Sequence, residues 1–201
     1  MTIGCVIARR VDTWPILNAQ YRGACRGLWW PLSNEADPEA RALTAARDRE
    51  VLSVPPSELR AGASTDLDYL RTYLDVCERL ELDCLFGFIC RALEAAVSHH
   101  GWVQHVLSAS SWLGVDVIYG SGSFSFINAA SGSKDPVLQA ALQTSLNQNG
   151  LFDTFDEAQR FVRIYQSALD RGVNLEVLDD AMPVELWQDQ ELKALRRAFE
   201  R

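Results

Sequence analysis

Between residues 98 and 147 the chain carries only three charged side chains, Asp116, Lys134 and Asp135. A stretch so poor in charge has too few solvated groups to lie open in water, so it has to supply the centre of a folded core. The flanks differ. Residues 31–97 hold thirteen acids against seven arginines, and residues 148–201 hold eleven acids against seven bases. That is the pattern of helices with solvated outer faces. The first thirty residues run the other way, with Arg9, Arg10, Arg22 and Arg26 against Asp12. No repeat, low-complexity run or long Pro/Gly/Ser linker divides the chain. Its 201 residues are therefore read as one domain, 1–201. A chain of this length buries roughly 70% of the surface its unfolded form exposes, so it folds without disulfides or metals.

Local signals divide the chain into elements. Residues 2–8 (TIGCVIA) are short, β-branched and apolar on both sides, which predicts a buried strand. Asp37-Pro38 opens a helix to about residue 50, and Pro55-Pro56 ends that region. Ser64 or Thr65 is expected to cap a helix with Asp66 and Asp68 in its first turn and Leu67, Leu70, Leu74, Cys77 and Leu80 on one face. Residues 84–97 are apolar almost all round and predict a core helix, followed by another over 101–113. Residues 115–119 and 124–127 alternate around Gly120-Ser121-Gly122-Ser123, as in a hairpin. Asp135-Pro136 starts a helix to about residue 147, and Thr154 with Glu157 forms a capping box for one that Gly172 stops. Residues 173–177 alternate as a strand, and 183–199 form a last amphipathic helix. The sum is an α+β fold of six or seven helices around a mixed or antiparallel sheet of about four strands, with the first and last strands paired near its middle.

Composition narrows the partners. Twenty-seven acids against nineteen bases give a net charge of -8, which disfavours nucleic acid and anionic membrane surfaces. No window of about eighteen apolar residues spans a bilayer. The apolar first eight residues precede Arg9 and Arg10, the reverse of a secretory leader. Cys5, Cys25, Cys77, Cys84 and Cys90 are an odd set without a CxxC pair. Reduced thiols and a cytoplasmic location are expected.

Motifs for catalysis were sought by spacing. His99, His100 and His105 are separated by one, five and six positions, not the i,i+3 or i,i+4 of a helical metal pair, so no metal is assigned. The GSGS segment lacks the Lys of a phosphate loop and the third glycine of a dinucleotide fingerprint; no GxSxG elbow occurs. Cys25, between Arg22 and Arg26, is the thiol with an activating charge environment, and an ordinary thiol is the simpler reading. The acid pairs Asp66/Asp68, Asp153/Asp156/Glu157 and Asp179/Asp180 fall at or just before helix starts, where the helix dipole accounts for them. No cofactor is implied.

The functional expectation is a binding module, not an enzyme: an acidic protein that recognises a basic protein partner, of the inhibitor or immunity kind. Its contacts are expected at Asp75, Glu78, Glu81, Asp83, Asp179, Asp180 and Glu185, with Trp29 and Trp30 as aromatic anchors. A homodimer through the stripe from Leu67 to Leu80 is a further expectation, with a place in the core as its plainer use. The alternative is a small-molecule-binding protein or enzyme using the serine-rich stretch 121–133, with Ser121 and Ser123, and the histidines His99, His100 and His105.

Overall fold

The computed structural model describes residues 2–9, 65–79, 85–92, 101–118, 125–178 and 181–201, and the statements below concern these residues. Four antiparallel strands form one sheet: β1 (Thr2–Arg9), β2 (Leu85–Ala92), β3 (Ser111–Ile118) and β4 (Met182–Asp189), in the order β1-β2-β4-β3. Six helices are present among the described residues: α1 (Leu67–Arg79), α2 (Gly101–Ala109), α3 (Phe126–Ser131), α4 (Pro136–Ser145), α5 (Phe155–Asp170) and α6 (Lys193–Phe199). The fold is α+β, as the sequence predicts.

The largest departure from the sequence reading is β2, where a core helix over 84–97 was expected. Side chains alternate across a strand, and here both sides are apolar. Phe88, Cys90 and Ala92 enter one core cluster, whereas Ile89 joins Cys5 and Ile7 in another. A strand buried on both faces shows a continuous apolar run, which periodicity does not distinguish from a buried helix. Gly87 was the overlooked signal. A Cβ there would lie 2.9 Å from Leu192 Cδ2 and 3.3 Å from Asp189 Cβ, so a larger residue would press on the Leu192 side chain packed beside the strand.

Similar corrections apply elsewhere. α2 stops at Ala109, where the Ser110 hydroxyl donates to the Val106 carbonyl at 2.7 Å, and β3 begins two residues later. The hairpin expected over 115–127 is replaced by pairing of β3 with β4. Residues 126–131 are α3, and among the described residues the two segments meet through one bridge, Ile118 to Ser125, and the hydrogen bond from Ser125 to Asp116. Residues 173–177 form no strand: Tyr165 donates its hydroxyl to the Glu176 carbonyl at 3.1 Å, and Asn174, Glu176 and Val177 are exposed. The helix expected over 183–199 divides into β4, a short 3-10 turn (Gln190–Leu192) and α6. The first and last strands are not neighbours, because β2 lies between β1 and β4.

The described helices with local start signals, α1, α4 and α5, lie where the sequence places them, while the helix expected from Asp37-Pro38 to about residue 50 lies outside the described residues. Asp66 accepts the Asp68 N–H at 2.9 Å and so caps α1 in place of Ser64 or Thr65. Asp135 accepts from the N–H groups of Val137 and Leu138 at α4. Thr154 and Glu157 complete the expected capping box of α5, which Gly172 closes at φ 79°. α3, α4 and α5 cover one face of the sheet over Phe88, Val184 and Leu186, while α1, α2 and α6 cover the other over Ile7 and Ile89. Leu70 and Leu74 are buried in the second cluster and Leu67 packs against it, so these three leucines are core within one chain; Leu80 lies outside the described residues.

Candidate functional site

Three of the carboxylates proposed for partner contact are described, and they have different settings. Asp75 is exposed on α1. Glu78, one turn further, forms an ion pair with Arg196 of α6. Arg71, one turn before Asp75 on the same helix, donates to the Phe199 carbonyl and sits over the Phe199 ring with its guanidinium carbon 5.6 Å from the centroid. Much of the charge on this face thus joins α1 to α6. Asp68 and Asp75 are the carboxylates of the face with no ion pair to a described residue. Glu185, on β4, is directly opposite Arg91 of β2 and accepts from Arg91 Nε at 2.6 Å. That Arg91 also lies 5.9 Å from the Trp187 ring centroid. Glu185 is therefore part of a cross-strand pair and contributes little free charge.

Glu81, Asp83, Asp179, Asp180, Trp29, Trp30, His99, His100, Ser121 and Ser123 lie outside the described residues. His105 is half-buried on α2. Among the described residues no three His, Cys, Asp or Glu side chains gather as a metal site. The described serines of the 121–133 stretch act within the fold: Ser125 donates to Asp116 at 2.7 Å, Ser131 donates to the Asn128 carbonyl at 2.7 Å, and Ser133 accepts from the Asp135 N–H at 3.1 Å. Gln139 further ties the chain by donating to the carbonyls of Ala130 and Ser133.

The buried ionisable groups are also engaged. Asp116 accepts from the Val117 N–H and the Ser125 hydroxyl, both at 2.7 Å. Asp189 accepts from the N–H groups of Ala194 and Leu195 at 3.1 and 2.7 Å, doing for α6 what an N-cap does. It reaches them because Glu191 and Leu192 adopt left-handed backbone at φ 57° and 56° and turn the chain back. Burial pushes the thiols of Cys5 and Cys90 up, with Cys90 and Asp189 adding to the effect at Cys5 and Asp116 at Cys90. Both stay protonated at neutral pH and behave as small apolar side chains. Burial likewise raises Tyr165 to about 12.

Two surface features were not anticipated. Trp112 is 39% exposed at the start of β3, directly across from Trp187. Reading residues 101–113 as helix hid the strand edge that presents it. The second is a cavity of about 460 Å³ lined by Ala92, Phe155, Gln159, Val162, Arg163, Ala181, Met182 and Pro183. It lies where α5 crosses the end of β2 and the start of β4, away from Asp75, Glu78 and the described serines. No helix among the described residues is long and apolar enough to cross a membrane. Comparison with known proteins finds no family model, no curated protein and no solved structure that matches the chain.

Proposed function

We propose that the protein is a binding module for a basic protein surface, acting in the cytoplasm as an inhibitor or immunity-type partner. The observation that carries this reading is the division of its charge. The net charge is -8, and the buried carboxylates Asp116 and Asp189 are taken up by hydrogen bonds of the fold. Exposed acids such as Asp68 and Asp75 are left facing solvent on α1. A surface of that kind accelerates encounter with a cationic partner and rejects acidic competitors.

Native mass spectrometry of the protein captured at low salt from its source cells tests the proposal. The expected result is a stoichiometric complex with a basic protein that dissociates as salt is raised, because exposed charges more than about 10 Å apart are screened at 0.1 M. Changing Asp68 and Asp75 together to Lys is expected to reduce capture at least tenfold, with a small fall in the thermal midpoint because Asp68 lies in the first turn of α1. The pair Asp179→Lys with Asp180→Lys is expected to act in the same direction. Capture that survives both double changes, or a partner of acidic character, would overturn the reading.

A further inference from the structure

The cavity beside α5 has a composition that points to one class of ligand. The fully buried stripe of α5 is Ala158, Phe161, Tyr165 and Ala168, which packs into the core. A second stripe, Phe155, Gln159, Val162 and Arg163, follows the spacing of one helix side and lines the cavity instead. Phe155 and Val162 remain half-buried. The opposite wall is Ala92 at the end of β2 with Ala181, Met182 and Pro183 at the entry to β4. The side chain of Ala92 is too short to reach across, which leaves the space open.

Among the described residues the lining is apolar except for Gln159 and Arg163, and none of them is a carboxylate. Gln159 and Arg163 are one helical turn apart, so their amide and guanidinium sit on the same side of the space. Arg163 makes no ion pair with any described residue, in a chain that carries twenty-seven acids. Arg91, Arg171 and Arg196 are each paired with a carboxylate, whereas Arg160, Arg197 and Arg201, like Arg163, pair with none among the described residues; of these four only Arg163 lines the cavity. A volume of about 460 Å³ falls within the usual range for one small organic molecule.

We propose that this cavity binds a small organic carboxylate with an apolar body. The guanidinium of Arg163 would take the carboxylate through its paired N–H donors, Gln159 would donate from its amide, and Phe155, Val162 and Met182 would cover the hydrocarbon. The site shares no residue with the acidic surface proposed above, so either reading can fail without the other.

The test uses the full chain and three probes with the same hydrocarbon body: octanoate, octan-1-ol and octylammonium. Titration calorimetry is expected to show saturable one-to-one binding of octanoate, binding of octanol weaker by about tenfold or more, and none of octylammonium, since a hydrogen bond to a charged group contributes roughly 1.5–3 kcal/mol. Octanoate is also expected to raise the thermal midpoint. Arg163→Gln, at an exposed position, should weaken octanoate at least tenfold and leave octanol unchanged, and Val162→Trp should abolish both by filling the space. Equal binding of octanoate and octanol, octanoate affinity unaltered in Arg163→Gln, or no saturable binding at millimolar octanoate would each overturn the proposal.

Discussion

On one face of the sheet the core is built from rings. Phe126 and Tyr165 meet edge to face with centroids 5.4 Å apart, and Phe161 sits 5.2 Å from Phe152 and 5.8 Å from Tyr165. On the other face the fully buried side chains are aliphatic or small, Ile7, Leu70, Leu74, Ile89, Val103, Val106 and Leu195 among them, with Trp102, Trp187 and Phe199 only at the margin. The means of closure differ as well. The ring-built side is assembled from α4 and α5, each begun by a cap within three residues of its own start. The aliphatic side is closed by groups far apart in sequence: Glu78 with Arg196, Arg71 with the Phe199 carbonyl, and β1 against α1. On the ring-built face α4 and α5 each start from a local cap, whereas on the aliphatic face the one local cap, Asp66 at α1, is supplemented by ties between distant parts of the chain.

The largest effect that would test this contrast comes from truncating its rings. Phe161→Ala is expected to cost about 3–5 kcal/mol in urea unfolding, because it removes two ring contacts and leaves a cavity. Leu74→Ala on the other face is expected to cost less, toward the lower end of about 2–5 kcal/mol. Equal costs would remove the distinction between the two cores.

Next in size is Asp189→Ala. It leaves the N–H groups of Ala194 and Leu195 without their acceptor, at a cost of about 1–3 kcal/mol. Amide exchange should rise in α6 while α4 and α5 keep their protection. A uniform rise across all three helices would show that the faces unfold as one unit.

A smaller, pH-dependent effect is expected at Asp135. The Leu138 N–H and the Arg171 side chain hold its carboxyl below the usual carboxylate range. The folded value is depressed, so its contribution is complete above the unfolded value of about 3.9 and is lost as pH falls through the folded value. The stability difference between the wild type and Asp135→Asn should thus be constant near neutral pH and shrink below about pH 4. A difference that persists unchanged in acid would show that hydrogen bonding of the neutral carboxyl suffices.

The smallest effect belongs to the exposed pair of Glu78 and Arg196. A double-mutant cycle should give a coupling of about 0.2–1 kcal/mol that disappears in 1 M salt. A larger, salt-resistant coupling would make this pair a principal fastener of the aliphatic face.

Caps and breakers made α1, α4 and α5 readable, since Asp66, Asp135, Thr154 with Glu157, and Gly172 act through bonds within a few residues. The same kind of reading failed at β2 and β4. Leu85–Ala92 is apolar on both sides because both sides are covered, and nothing local in that run names its period. In β4 the strand alternation is short, Val184 and Leu186, and it runs directly into the apolar positions of α6. The candidate site shows the same division. That Asp75 would be exposed followed from its place on α1, whereas the pairing of Glu185 with Arg91 required β2 and β4 to be adjacent. The α5 cavity was not legible, since its walls come from three separate elements.

The sequence by itself determined the α+β class, the starts of the capped helices α4 and α5 and the net charge of -8. Only the tertiary structure decided the strand order β1-β2-β4-β3, the use of Asp189 as a cap for α6, and the opening that Arg163 lines. The reason is the range of the forces involved. A cap is settled by hydrogen bonds across one turn, whereas an apolar run takes whichever conformation buries both its sides, and that depends on what the rest of the chain brings to it.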